Sequence, residues 1–267
     1  MASFYTTIAA VCLVAFTGLQ TDAGNGVTYK WTAEEVTDDG YLSVNLARNG
    51  NLAVHINEVK REEKLVNSLK TTVAGNQESR ADSSCETLMQ GKVELKDVFH
   101  KVFDPQEKPD YRQLLQTSLE EGLAIFKSKE YPENPDGWTT IWENEAFANL
   151  AYLLNSNSTA VGCVIGKCTS TPASSTPSPP QVPGNGQREA EPQVEKAVLF
   201  CDLDPPATEG KAPFDKEYFT ALTARTTKLA NMTEDDLKAP TNDGTTAAAV
   251  PTIMFASLVA ILTAVSV

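Results

Sequence analysis

Two stretches of this sequence decide the fold: Val161-Gly162-Cys163-Val164-Ile165-Gly166 and Ala197-Val198-Leu199-Phe200-Cys201. Both are short and apolar, and both are rich in β-branched or aromatic residues, which predicts two β-strands. The region between them, residues 169–193, is dominated by Pro, Ser, Thr and Gly. Such a composition buries too little apolar surface to offset the entropy lost on ordering. We therefore expect a hairpin that carries a disordered insertion at residues 169–193.

Three helices are predicted from apolar periodicity. Apolar residues recur at helical spacing over residues 52–69, with charged residues on the other side. A second helix is expected to begin after Asp110, an N-cap residue that precedes an apolar stripe ending at Phe126. A third is outlined by apolar residues between positions 214 and 229. All three patterns indicate helices that turn one face to a core.

Other local signals are less decisive. The run Asn134-Pro135-Asp136-Gly137 is typical of a turn, because Pro fixes one backbone angle and Gly supplies another that other residues resist. Trp138 and Trp142 follow it and are expected to be buried. Residues 150–154 form a short apolar run that periodicity alone does not assign to helix or strand.

The two ends of the chain have the composition of processing signals. Residues 8–16 are an apolar core of signal-peptide length, with small residues that suit cleavage after Ala23. Residues 250–267 are apolar and uncharged, with no basic residues after them, and the small residues Asn242, Asp243 and Gly244 precede them. This pattern predicts a glycolipid (GPI) anchor attached at Asn242. A single-pass or tail-anchored helix remains the alternative.

These signals divide the chain into a signal peptide at 1–23, one ectodomain at 24–237, a stalk with the attachment region at 238–249 and a removable tail at 250–267. We therefore expect secretion, followed by anchoring to the outer leaflet of the plasma membrane. The net charge of -13 makes the chain acidic. Nucleic acid is an unfavourable partner, because phosphate backbones would repel such a surface.

Cysteine usage agrees with secretion. Cys12 falls in the signal peptide, which leaves an even set of four that predicts two disulfides with three possible pairings: Cys85, Cys163, Cys168 and Cys201. A zinc site is disfavoured by the irregular spacing. Two sequons, at Asn157 and Asn231, predict N-glycosylation.

Two motifs resemble the end of the CAP superfamily, which contains cysteine-rich secretory proteins, antigen 5 and plant pathogenesis-related proteins. They are Gly162-Cys163 with Cys168 five residues on, and Phe200-Cys201-Asp202-Leu203-Asp204-Pro205-Pro206. Together with the anchor signal, residues 149–154 and residues 232–237, the chain resembles the surface antigen (SAG) family of Eimeria-type coccidian parasites. The resemblance extends over residues 42–237.

The resemblance implies an α/β fold, a three-layer α/β/α sandwich with a central, mostly antiparallel sheet. It assigns residues 150–154 to a strand. It also implies a pairing of the cysteines, namely Cys163 with Cys201 across the hairpin and Cys85 with Cys168 from loop to sheet. No pairing follows from the residues alone.

Many CAP domains hold a divalent metal with two His and two acidic residues. In this sequence the corresponding His positions fall on Asn149 and Ile56, and the two histidines present are His55 and His100. We therefore expect no metal and no cofactor, and ordinary hydrogen-bonded or surface roles for both histidines. No Gly-x-Ser-x-Gly elbow and no glycine-rich phosphate loop occurs in the sequence.

Glu143 and Glu145 are expected to be solvated helix charges, because residues two apart do not face each other on a helix. The expected function is that of a non-catalytic, GPI-anchored parasite surface antigen. Its partners would be the plasma membrane through the GPI lipid, and a host-cell surface receptor or an antibody. The alternative is a CAP-type lipid or sterol carrier with an apolar cleft.

Overall fold

The structure is a computed structural model that describes residues 27–75, 84–93, 95, 97–105, 108–126, 130–172 and 193–238. The predicted signal peptide, attachment residue and tail lie outside these residues. The strands are β1 (Val27–Glu35), β2 (Lys60–Arg61), β3 (Val98–Phe103), β4 (Ala160–Pro172) and β5 (Gln193–Asp204). The α-helices are α1 (Asp38–Asn49), α2 (Glu63–Ala74), α3 (Cys85–Val93), α4 (Tyr111–Leu123), α5 (Pro135–Trp142), α6 (Glu145–Leu154) and α7 (Lys216–Ala224). Two 3₁₀ helices follow, Leu229–Asn231 and Glu234–Leu237.

The predicted hairpin strands are confirmed as the middle of a mostly antiparallel sheet. The order of its strands is β1-β4-β5-β3, and short β2 pairs with β4 in parallel. β4 and β5 pair from Ala160 opposite Asp204 to Ser170 opposite Gln193. Because side chains alternate along a strand, each central strand contributes to two cores, one on each face of the sheet.

Helices cover both faces of the sheet. Val164 and Phe200 belong to a smaller core with residues of α2 and α3. Cys163 and Leu199 point to the other face, where the larger core includes residues of α1, α4, α5, α6 and α7. The layers are therefore helix, sheet and helix.

Side-chain caps fix the starts of α4 and α5. Asp110 accepts from the backbone N–H of Gln113 at 3.0 Å, which confirms the predicted start of α4. Asn134 accepts from Gly137 N–H at 2.8 Å in the same way. The run predicted as a turn is therefore the N-cap and first turn of α5, where Pro135 is tolerated because the first N–H groups have no intrahelical partner. Trp138 and Trp142 are buried, as predicted.

The helix predicted over residues 52–69 begins only at Glu63. The backbone before it is held by side chains of α1. The N–H of Ile56 donates to Asn49 Oδ1, and the N–H of Val59 donates to Asn45 Oδ1, both at 2.9 Å. These bonds take the place of helical ones, so apolar residues at helical spacing here line a loop.

The strand expected at residues 150–154 is wrong, because these residues end α6. Asn144 caps this helix by accepting from Phe147 N–H at 3.1 Å. Leu150, Leu153 and Leu154 are fully buried. Residues 150–154 alone are too short and too uniformly apolar to show a helical period, whereas over the whole of α6 the buried residues Phe147, Leu150, Ala151 and Leu154 recur at helical spacing.

Two further boundaries differ from expectation. β4 continues to Pro172, so residues 169–172 belong to the sheet and not to the insertion. Thr169 contributes to this extension by donating its hydroxyl to the backbone oxygen of Lys30 at 3.2 Å. Residues 173–192 lie outside the described residues. The predicted last helix is α7 alone, and Leu229 belongs to a 3₁₀ helix beyond it.

A buried arginine ties the helical layer together. Arg48 is 0% exposed, and its guanidinium donates to the backbone oxygens of Asn57, Leu153, Asn155 and Ser158 at 2.6–3.4 Å. Burial lowers its pKa to about 10. The cation is stabilised by carbonyl dipoles, and it joins the end of α1 to the loop that leads into β4.

Candidate functional site

Two disulfides lie on opposite faces of the sheet. Cys163 and Cys201 are directly opposite in the β4–β5 pair and are joined, with 4.2 Å between their Cα atoms. Cys85 at the start of α3 is joined to Cys168 of β4, with 5.7 Å between Cα atoms. All four are buried. This is the pairing that the family resemblance implies.

Asn149 occupies the position where the resemblance would place a metal-binding histidine, and here it supports an edge strand. It lies on α6 and not on a strand. The backbone N–H of His100 donates to Asn149 Oδ1 at 2.8 Å, and Asn149 Nδ2 donates to the backbone oxygen of His100 at 2.7 Å. The side-chain amide of Asn149 therefore bonds to the N–H and C=O groups on the outer edge of β3, as the backbone of a further strand would.

The His100 ring lies half-buried above this contact. It packs near Phe200, with 6.5 Å between ring centroids. Burial lowers the pKa of His100, although a hydrogen bond to the backbone of Val98 and the charge of Glu145 act in the opposite direction. A shallow cleft of about 280 Å³ lies beside it, lined in part by Glu145 and by the ion pair between Lys101 and Glu121.

The residues suggested as metal or acid–base candidates do not assemble into one site. His55 Nε2 contacts the backbone oxygen of Leu52 at 3.0 Å, within its own loop. Glu143 directly follows α5 as its C-cap, whereas Glu145 begins α6, so the two residues flank a helix boundary and do not share one helix. Within the ranges that the structure describes, no group of three His, Cys, Asp or Glu residues is placed to hold a metal.

A second depression lies between α4 and the end of α7. It is a groove of about 440 Å³ whose floor includes Leu119, Leu123, Phe126 and Leu222, and its rim carries charged and polar groups such as Arg225. Arg225 Nη1 also donates to the backbone oxygens of Leu46 and Ala47 in the last turn of α1 and of Gly50 just after it, at 3.1–3.3 Å. No local sequence pattern indicates this groove, because its residues come from two helices about a hundred positions apart.

An acidic cluster lies at the end of β5. Burial raises the pKa of Asp202, and the nearby charges of Asp204 and Asp97 raise it further. The carboxylate form is therefore less favourable in the folded state than in the unfolded chain.

Both predicted sequons present their asparagine to solvent. Asn157 is exposed in the loop between α6 and β4, and the adjacent Ser158 is buried and donates its hydroxyl to the backbone oxygen of Pro205 at 2.7 Å. Asn231 is exposed at the end of the first 3₁₀ helix. The predicted attachment residue, Asn242, lies outside the described residues. In the described part of the chain, no helix has both the length and the apolar composition to cross a bilayer.

No protein-family model matches the chain, and no curated protein sequence matches it. Among solved structures, the chain is similar to the Eimeria tenella surface antigen protein SAG19, with 19% sequence identity. The similarity covers 72% of this chain and 96% of that chain, with a TM-score of 0.45.

Proposed function

We propose that this protein is a non-catalytic, GPI-anchored surface antigen of a parasite that contacts host cells or antibodies. The observation that carries the proposal is the pair of buried disulfides within one ectodomain. Disulfides persist in oxidising compartments and are rare in the cytosol. This supports exposure of the folded domain outside the cell.

The two ends of the sequence also support secretion followed by anchoring at the cell surface. Residues 1–23 have the composition of a signal peptide, and the small residues at 242–244 before an apolar segment fit an anchor attachment site. The exposed side chains of Asn157 and Asn231 are compatible with glycans. Together with the resemblance to coccidian surface antigens, these features favour a displayed protein.

A role without catalysis agrees with the contacts of the two histidines, which are the residues that acid–base or metal chemistry would use. The side chain of Asn149 holds the backbone of His100, and the ring of His100 contacts the backbone of Val98. His55 is bonded within its loop. These contacts give both histidines structural roles.

Attachment can be tested with the secreted ectodomain, residues 24–237, added to host cells. The folded protein should bind saturably and should be displaced by excess unlabelled protein. A Cys163→Ala, Cys201→Ala double variant, which lacks the hairpin disulfide, is the misfolded control. Equal binding of both proteins, or no saturable binding of the folded one, would contradict a specific attachment role.

A lipid or sterol carrier is the second candidate, and the groove between α4 and α7 favours it. Its floor of Leu119, Leu123, Phe126 and Leu222 is apolar. Native mass spectrometry of the secreted ectodomain should then show a co-purifying lipid, and Leu222→Asp should remove it. If the protein emerges without lipid and takes up none from sterol-containing vesicles, this candidate is wrong.

A further inference from the structure

The described chain leaves the domain beside the C-terminal end of α1. The last described residue, Lys238, follows the second 3₁₀ helix. That helix is bonded to the second residue beyond α1, since Asn51 N–H donates to the backbone oxygen of Asp236 at 2.9 Å. The exit point is therefore fixed to the domain.

This end of α1 lies at the Ala160 end of the sheet. Near the start of α1, Tyr41 contacts Cys163, whose N–H donates to the tyrosine hydroxyl at 3.3 Å. Near its end, Arg48 contacts the backbone oxygen of Ser158. Helix α1 thus runs towards the start of β4, and the exit of the chain lies on that side.

The opposite end of the sheet carries Val27, Pro172 and Gln193. Val27 pairs with Pro172, and Gln193 begins β5. β4 has 13 residues. At about 3.3 Å per residue, this end lies about 40 Å from Ala160.

Both sequons lie on the exit side. Asn157 comes three residues before Ala160, and Asn231 is the last residue of the 3₁₀ helix that precedes the exit. If the anchor is attached at Asn242, that residue lies four positions after Lys238. A chain of that length spans at most about 14 Å. The peptide part of the tether is therefore much shorter than the sheet.

From these placements we propose an upright orientation of the domain on the membrane, in which the strands of the sheet run roughly perpendicular to the bilayer. Its Ala160 end faces the bilayer, its strands run outward, and the end with Val27, Pro172 and Gln193 is the one that a host cell or an antibody reaches first. Glycans attached at Asn157 and Asn231 would then lie near the base and leave the outer end uncovered. This inference rests on the proposed anchor.

Energy transfer on intact cells tests the orientation. The full chain is displayed with one donor fluorophore, introduced as a non-natural amino acid either at Lys30 or at Glu58, and the acceptor is a lipid dye in the outer leaflet. Both side chains are exposed. Lys30 pairs with Thr169 near the outer end, whereas Glu58 lies two residues before Lys60, which pairs with Ala160. Transfer should be several-fold stronger from position 58 than from position 30.

Equal transfer from the two positions, or stronger transfer from position 30, would overturn the upright orientation. Phosphatidylinositol-specific phospholipase C separates this outcome from failure of the anchor. If the lipase releases the protein and abolishes the energy transfer from both positions, the anchor proposal is supported. The ratio of transfer from position 58 to transfer from position 30, measured before treatment, then decides the orientation. If signal and protein resist the lipase, the anchor proposal fails, and with it the tether on which the orientation depends.

Discussion

Replacement of Arg48 by methionine should destabilise the domain strongly. Methionine keeps most of the apolar stem of arginine but supplies no donor. Four backbone oxygens, the buried ones of Leu153, Asn155 and Ser158 and the partly buried one of Asn57, would then lose the guanidinium. A hydrogen bond from a charged donor contributes about 1.5–3 kcal/mol. Relief of the desolvation of the buried charge offsets part of this sum.

We expect a net loss of about 3–5 kcal/mol in the free energy of unfolding, because each buried carbonyl left without a donor costs about 1–3 kcal/mol and the relief of desolvation cancels part of the total. Arg48→Lys should recover only part of it, because an ammonium group cannot reproduce the fork of the guanidinium. Urea denaturation followed by the fluorescence of the buried tryptophans would measure these losses.

A matched control is Arg112→Met. Arg112 forms a surface ion pair with Asp39 at 2.8 Å, and such pairs contribute about 0–1 kcal/mol. If Arg48→Met costs no more than Arg112→Met, the carbonyl cluster does not hold the helical layer together, and the reasoning is refuted.

Three further outcomes are expected. Non-reducing peptide mapping should recover the disulfides Cys85–Cys168 and Cys163–Cys201, and a Cys163–Cys168 peptide would disprove this pairing. Their sequence separations of 83 and 38 residues correspond to a stabilisation of about 4.5 and about 4 kcal/mol in the chain-entropy model. Gly162→Ala should cost about 1–3 kcal/mol in the same urea assay, because its Cβ would lie 2.5 Å from the backbone nitrogen of Val66; an unchanged midpoint would mean that α2 does not pack this closely on β4. Burial lowers the pKa of His100 in the folded protein. The unfolded chain therefore takes up this proton at a higher pH, and the free energy of unfolding should fall as the pH drops through about 6.5 towards the lower folded pKa. His100→Gln should weaken this fall, and an identical pH dependence of variant and wild type between pH 7.5 and 5 would contradict the reasoning.

Local signals predicted the sheet centre and one helix start correctly. The β-branched runs around Cys163 and Cys201 are strands because their side chains fill cores on both faces. Asp110 caps α4 through a bond to a residue three positions on, which a sequence displays directly. Such features depend on neighbours in the chain.

The errors arose where distant residues decide the structure. Asn45 and Asn49 hold the backbone at positions 56 and 59, so a periodic apolar pattern there does not form a helix. The contact between Asn149 and His100 joins residues 49 positions apart, and no local pattern shows it. The strand assigned to residues 150–154 is an error of another kind, because it came from the family resemblance although the Asn144 cap is a local signal for a helix.

The most direct test of the central claim is the identity of the residue that carries the anchor. Phosphatidylinositol-specific phospholipase C should release the full-length protein from cells, and mass spectrometry of its C-terminal peptide should find ethanolamine-linked glycan on Asn242 or within two residues of it. Replacing Asn242, Asp243 and Gly244 together with bulky residues should retain the protein inside the cell. Surface display of that variant, resistant to the lipase and still carrying residues 250–267, would show instead a protein held by its own apolar segment and would contradict the account.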